Sequence, residues 1–166
     1  VWDDFLFVGT CFSEDYRNYK TARTNEYAIE ILKEYFPKKR IIDLDLKKND
    51  KVPYQGVLHL DCTFNPIGKD KCIIYKDGFV DESDYQLIID IFGEENCFHI
   101  TPEEMFEMYP NIFSISPEVV VSDETFTRMN DFLRNEWGFT VEEIPYREIS
   151  KMGGLLRCST MPLVRE

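Results

Sequence analysis

Short apolar runs and amphipathic helical segments alternate along this chain, and the alternation comes round three times at a spacing of about 55 residues. In the first pass Phe5 to Gly9 reads as a strand. Thr24 to Phe36 then carries Tyr27, Ala28, Ile31, Leu32, Tyr35 and Phe36 at helical spacing, which predicts a helix with these residues on one face. Asn25 or Thr24 is its expected cap and Pro37 its stop. Arg40 to Leu46 returns as a strand. In the second pass Val57 to Phe64 alternates as a strand does, and a turn at Pro66 to Asp70 leads to a second strand, Cys72 to Tyr75. A helix over Ser83 to Phe92, begun by Asp81 or Ser83, and a strand over Cys97 to Ile100 complete that pass. A short helix, Pro102 to Met108, follows with proline in its first turn.

The third pass is the most regular. Asn111 to Ile115 and Val119 to Val121 flank Ser116-Pro117-Glu118 as a hairpin. Glu124 to Trp137 is helical, with Phe126, Met129, Phe132 and Leu133 on one side and Gly138 as its C-terminal cap. Phe139 to Ile144 is the closing strand, and Leu155 to Thr160 reads as the start of another. The fold class is therefore α/β, built from strand-strand-helix-strand units spanning about residues 1–50, 51–109 and 110–166. The first fits least well, because Cys11 to Arg23 is polar. One such unit has a sheet covered by helix on a single face, so several must pack together.

A length of 166 residues with 43% hydrophobic and 14% aromatic content is enough for a folded core. The formal charge is −12, from 19 basic and 31 acidic residues, which argues against nucleic acid or an anionic membrane as partner. A negative field instead concentrates cations. No apolar run is long enough to span a bilayer, and there is no secretory signal pattern. The five cysteines, Cys11, Cys62, Cys72, Cys97 and Cys158, lack the paired spacing of a zinc site, so no metal is expected and reduced thiols in the cytoplasm are the default. The chain opens at Val1 and runs at once into an apolar strand, which raises the expectation that it is part of a longer protein.

Three stretches carry chemistry. In HLDCTFNP, His59 and Asp61 are two residues apart, so on a strand an imidazole and a carboxylate project to the same side. That suits a general acid–base beside an anionic anchor, and equally a surface ion contact. In MGGLLRCSTMP, Gly153 and Gly154 precede Cys158, and a thiol displayed past a glycine turn can serve as a nucleophile. A free cysteine is also often only a small buried hydrophobe. In KTARTNEY, Arg23 precedes a helix start and could clamp a carboxylate or simply be solvated. His99, within the Cys97 to Ile100 strand, reads as structural.

Together these stretches resemble the guanidino-group-modifying enzymes, a superfamily of arginine deiminases, arginine and glycine amidinotransferases, and dimethylarginine dimethylaminohydrolases. HLDCTFNPIG is similar to the family's His-x-Asp strand, and GGLLRCSTMPLVRE to its C-terminal cysteine motif, trailing Pro-Leu-Val-Arg-Glu included. FVGT with ARTN, and NIFSISPEVVVS, resemble two further blocks in the same order. The resemblance implies an α/β propeller (the pentein fold) of five strand-strand-helix-strand units, of which this chain supplies about three as its C-terminal portion. It implies Cys158 as nucleophile, His59 as proton carrier, Asp61 as guanidinium ligand and no cofactor; Arg23, from its place before a helix start, is the further candidate for substrate binding.

Two departures stand out. The family's Glu-Gly-Gly-Asp-type turn, and a further Asp upstream, fall ahead of Val1. Lys151-Met152 stands where arginine deiminases tend to carry an arginine before the glycines. The expected ligand is a cationic guanidino small molecule; the expected protein partner is a missing N-terminal half or a second copy. Water as acceptor gives a hydrolase, an amine gives an amidinotransferase. The competing class is a non-catalytic α/β scaffold with Cys158 buried and inert.

Overall fold

The computed structural model describes residues 2–14, 16–161 and 163, which divide into two compact units. The first is drawn from the chain up to Leu60 and from Lys76–Ile91. Its strands β1 (Phe5–Thr10) and β2 (Arg40–Asp45) run parallel, with Phe5 opposite Arg40 and Thr10 opposite Asp45. Parallel neighbours need a crossover, and α1 (Glu26–Tyr35) supplies it. Asn25 is its N-cap, accepting a hydrogen bond from the Ala28 backbone amide at 3.1 Å.

The inward face of α1 differs from the predicted one. Ile29 is buried and Ala28, Ile31 and Leu32 are half-buried, whereas Tyr27 and Tyr35 are 72% and 77% exposed. Tyrosine carries an amphipathic ring that tolerates water, so counting it as apolar turned the expected stripe away from Ile29. Gly9 is required where β1 passes Leu46 and Leu60, because a Cβ there would lie 2.7 Å from Leu46 Cδ1 and 3.0 Å from Leu60 Cβ. Helix α2 (Glu82–Phe92) begins at Asp81, whose carboxylate accepts from the Ser83 amide at 2.9 Å.

The second unit comprises Asp61–Tyr75 and the chain from Phe92 onward. It holds two three-stranded sheets of the same design. Strands β3 (Phe64–Ile67) and β4 (Lys71–Ile74) are antiparallel, and β4 pairs in parallel with β5 (Cys97–His99). Short helix α3 (Pro102–Phe106), capped by a Thr101–Glu104 box, follows. Strands β6 (Phe113–Ser114) and β7 (Val119–Asp123) are again antiparallel, and β7 pairs in parallel with β8 (Thr140–Ile144). The expected order of strands and helices thus recurs in these two passes. Between β7 and β8 lies α4 (Thr127–Asn135), shorter than the expected Glu124 to Trp137. Glu124 and Thr125 are held in a turn by the Asp123 side chain, and Gly138 adopts φ +70° beyond the helix end.

The core of this unit packs Met129 and Leu133 of α4 onto Ile67, Ile73, Phe98 and Val120 of the sheets. Burying each such side chain contributes about 1.5–3 kcal/mol. Phe98, Phe132 and Trp137 add tilted and edge-on ring contacts, with centroids 4.8 to 6.5 Å apart. His99 is half-buried, its Nε2 3.1 Å from Glu94, and its carbonyl accepts from Arg128, in keeping with a structural role. Among the described residues no helix is long and apolar enough to cross a membrane.

Asp123 is a fully buried carboxylate at the end of β7. Its Oδ1 accepts from the Thr125 amide at 2.9 Å and the Thr125 hydroxyl at 2.6 Å, and its Oδ2 from the Tyr146 amide at 2.8 Å. Burial pushes this carboxyl up, but hydrogen bonds to its ionised form outweigh burial and hold its pKa below the ordinary value. A folded-state pKa below the unfolded one stabilises above the unfolded value of about 3.9, and that stabilisation disappears as pH falls through the folded pKa. Asp123→Asn is therefore expected to cost about 1–3 kcal/mol near neutrality. Its deficit should narrow in acid, read from urea midpoints at about pH 7 and about pH 3. An equal deficit at both values would show that ionisation of Asp123 is not what stabilises the β7 end.

Candidate active site

The stretch that read as one strand from Val57 to Phe64 is not a strand. Val57 to His59 is irregular, Leu60–Cys62 forms a 3-10 turn, and β3 starts only at Phe64. The physical reason lies in its carbonyls: the Lys48 ammonium donates to those of Val57 and Leu58, both at 2.9 Å, so they are not offered to a strand neighbour. Val57 and the run from Cys62 to Phe64 are interior all the same, without the every-other-residue burial of a strand. His59 and Asp61 therefore do not share one side of a strand. His59 is half-buried at the end of the first unit's leading segment; Asp61 is half-buried on the turn that opens the second.

Within the second unit the fold brings Asp61 to Cys158. The segment before the cysteine is a 3-10 turn, Arg147–Met152, after which Gly153 and Gly154 take φ +81° and +139°. Leu155 and Leu156 are then buried in the core, and the chain turns over Leu156 to Ser159. The expected strand from Leu155 to Thr160 is replaced by this turn. The Leu155 carbonyl accepts from the Ser159 hydroxyl at 2.6 Å and its amide donates to the Asn111 side chain at 2.9 Å, which uses up the groups a strand would present. Two leucines anchor the turn, and the thiol stands out of it. Cys158 is exposed, not buried as the scaffold alternative has it.

Cys158 Sγ lies 3.6 Å from Asp61 Oδ2. It also accepts from Asn111 Nδ2 at 3.2 Å. Asn111 is a residue that the sequence does not single out for chemistry: it reads there only as the first residue of a strand, which in the structure begins at Phe113. Burial pushes the Cys158 thiol up, the Asp61 carboxylate adds to that, and hydrogen bonds from Asn111 and the Leu155 amide pull against it; the balance is a raised pKa. The resting thiol is thus protonated near neutrality, beside an anion that would welcome a cation. A cation held by Asp61 removes the repulsion and favours the thiolate. Arg23 is exposed in the loop before α1, in the first unit. Of the trailing Pro-Leu-Val-Arg-Glu, Pro162, Val164, Arg165 and Glu166 lie outside the described residues.

A family model described as N,N dimethylarginine dimethylhydrolase, eukaryotic, matches residues 19–165, most of the chain. The uncharacterized protein YkgA of Bacillus subtilis (strain 168) is 29% identical over 164 residues, which is 98% of this chain and 49% of YkgA. An arginine deiminase of Latilactobacillus sakei subsp. sakei (strain 23K) is 39% identical over 67 residues, 40% of this chain and 16% of its own length. Among solved structures, the N-terminal domain of ArgZ, a cyanobacterial arginine dihydrolase bound to product, superposes with a TM-score of 0.77 at 19% identity. That match covers 98% of this chain and 52% of the other, and it shows a shared α/β fold. The chain thus spans about half the length of YkgA and of the ArgZ domain.

Gly154 sits where only glycine fits. A Cβ built there would lie 2.9 Å from Cys158 Cβ and 3.3 Å from its Sγ, at a φ that disfavours any L side chain. Gly154→Ala is expected to displace the thiol and reopen the turn, at a backbone cost of about 1–3 kcal/mol. The alkylation rate of Cys158 should change while the far-UV spectrum does not, and an unchanged rate would show that the glycine does not set the thiol position.

Proposed function

This chain belongs to the N,N dimethylarginine dimethylhydrolase family of guanidino-group-modifying enzymes, and from that premise we propose that the whole protein hydrolyses an arginine-like guanidino compound through Cys158. The observation that carries the reading is the exposed Cys158 thiol facing the Asp61 carboxylate across 3.6 Å. A carboxylate there can hold a guanidinium by charge-assisted hydrogen bonds, and the same guanidinium brings its electrophilic carbon to the sulfur.

In this scheme the Cys158 thiolate attacks the central guanidinium carbon and a C–S bond forms. His59 donates a proton to the departing nitrogen, the C–N bond breaks and a free amine leaves, so the enzyme carries a thiouronium. His59, now neutral, takes a proton from water as its oxygen attacks the same carbon. The C–S bond then breaks with its electrons returning to sulfur and the remaining oxygen-bound proton passes to solvent, where the released amine takes it up, so that a neutral ureido product leaves and the thiolate is restored. Arg23 would pair with a substrate carboxylate through its planar fork. No metal or organic cofactor enters, and a cytoplasmic setting keeps the five free thiols reduced. The matching family is described as a hydrolase, which supports water rather than an amine as acceptor. The fold reading extends to a five-unit propeller of which residues 1–50, 51–109 and 110–166 are three units; the matched designs of the β3–β4–β5 and β6–β7–β8 sheets support it.

The test is a product screen of the full-length protein with methylated arginines, arginine, agmatine and guanidinoacetate. Release of a ureido product is expected. Transfer of the amidino group to an added amine, with no ureido product, would make the protein an amidinotransferase instead. Cys158→Ser should retain less than about a hundredth of the wild-type rate with the fold intact, and a higher residual rate would remove Cys158 from the nucleophile role.

Asp61→Asn should raise KM for a guanidino substrate at least about tenfold, while Asp43→Asn leaves it near wild type. The same loss of charge beside the sulfur should move the thiol's alkylation midpoint downward in pH. Equal KM values in the two variants would reduce Asp61 to a turn residue.

A further inference from the structure

Asn111 is 0% exposed and has no role in the scheme above. A primary amide has two acceptor positions on oxygen and two donor hydrogens on nitrogen, and burial makes each unfilled position costly. All four are used. Oδ1 accepts from the Leu155 amide at 2.9 Å and the Cys158 amide at 3.2 Å. Nδ2 donates to Cys158 Sγ at 3.2 Å and to the Asp61 carbonyl at 3.4 Å. The orientation of the amide is not arbitrary. The atom facing two backbone N–H groups must be the oxygen, which leaves nitrogen towards the sulfur.

The Asn111 backbone is tied into the same place. Its carbonyl accepts from the Arg157 amide at 3.0 Å. The flanking carbonyls of Pro110 and Ile112 accept from Asn65 Nδ2 at 2.6 and 3.1 Å, which fixes this segment to β3. Asn65 is itself buried, so the support beneath Asn111 is rigid.

Resting on the reading of Cys158 as the nucleophile, we propose that Asn111 is the residue that positions the thiol and stabilises its thiolate. The oxygen end closes the loop from Leu155 to Cys158, and the nitrogen end presents a fixed N–H to the sulfur. A thiolate accepts such a bond more strongly than a thiol does, so the donor lowers the cost of ionisation. This opposes Asp61, which faces the same sulfur and favours the thiol. The other ionisable groups at hand within this unit are Arg157, the chain neighbour of Cys158, and Cys62, whose Sγ is 3.8 Å from Asp61 Oδ1.

The two ends of the amide separate experimentally in the full-length protein. Asn111→Ala removes both, and Asn111→Asp keeps an oxygen for the two backbone amides but presents no N–H to the sulfur. Thermal midpoints are expected to fall in the alanine variant and recover in part in the aspartate variant. Alkylation of Cys158 by iodoacetamide should be slower by about tenfold near neutrality in both, because its pH midpoint moves up by about one unit. A purely architectural asparagine would change the thermal midpoints and leave the thiol titration alone, and that result overturns the proposal. Should either variant not fold, the wild-type protein still decides: the Asn111 side-chain amide protons, followed by nuclear magnetic resonance, should shift with the midpoint of Cys158 alkylation. Resonances that stay flat through that midpoint overturn it as well. Neither readout requires turnover, so a failed Cys158→Ser test and a failed Asn111 test remain distinct.

Discussion

A buried carboxamide with every hydrogen-bond position filled is a rigid object, and the site in the second unit is assembled around one. Asn111 meets Leu155, Cys158 and the Asp61 carbonyl, residues that come from widely separated parts of the chain. Asp61 lies on a single 3-10 turn and Cys158 on a loop opened by two glycines, so the amide ties together segments with little regular structure. Loops of that kind have little order of their own. Here the order is supplied from below, by Asn65 on β3 and by the buried Leu155 and Leu156.

The electrostatics of the site follow from the same placement. A thiol beside a carboxylate is a poor nucleophile at rest, because burial and the anion both favour the protonated form. In the proposed function a cation held next to the carboxylate would relieve that repulsion, which would couple activation of the sulfur to the presence of a positively charged ligand. The net charge of −12 works in the same direction by raising the local concentration of cations.

The repeat was legible because it depends on local patterns. Alternating apolar runs and 3.6-residue periodicity identified helices α1 to α4 and every strand of the two three-stranded sheets except β3, which lies at Phe64–Ile67 and runs into the expected turn at Pro66 to Asp70; Asn25, Asp81 and Gly138 marked boundaries through ordinary cap chemistry. The departures share a cause. Tyr27 and Tyr35 counted as core yet face water; Glu124 and Thr125 looked helical yet are held in a turn by buried Asp123; Val57 to Thr63 alternated yet has carbonyls taken by Lys48. In each case a polar side chain outside the apolar pattern, or an ambiguous ring, decided the outcome.

From sequence alone came the fold class, a resemblance to the family and the four groups of the proposed scheme, Cys158, His59, Asp61 and Arg23, because motifs are carried by residue type and order without reference to neighbours in space. The thiol after two glycines and the His-x-Asp pair are written into the chain whatever it folds into. Only the tertiary structure set the thiol against Asp61, stood it in solvent rather than in the core, and revealed Asn111 between them. A hydrogen bond between residues 47 positions apart leaves no local trace, and a buried asparagine has the same sequence signature as one in an exposed turn. What separates the two is whether each of its polar atoms meets a partner, and that is a property of the folded chain.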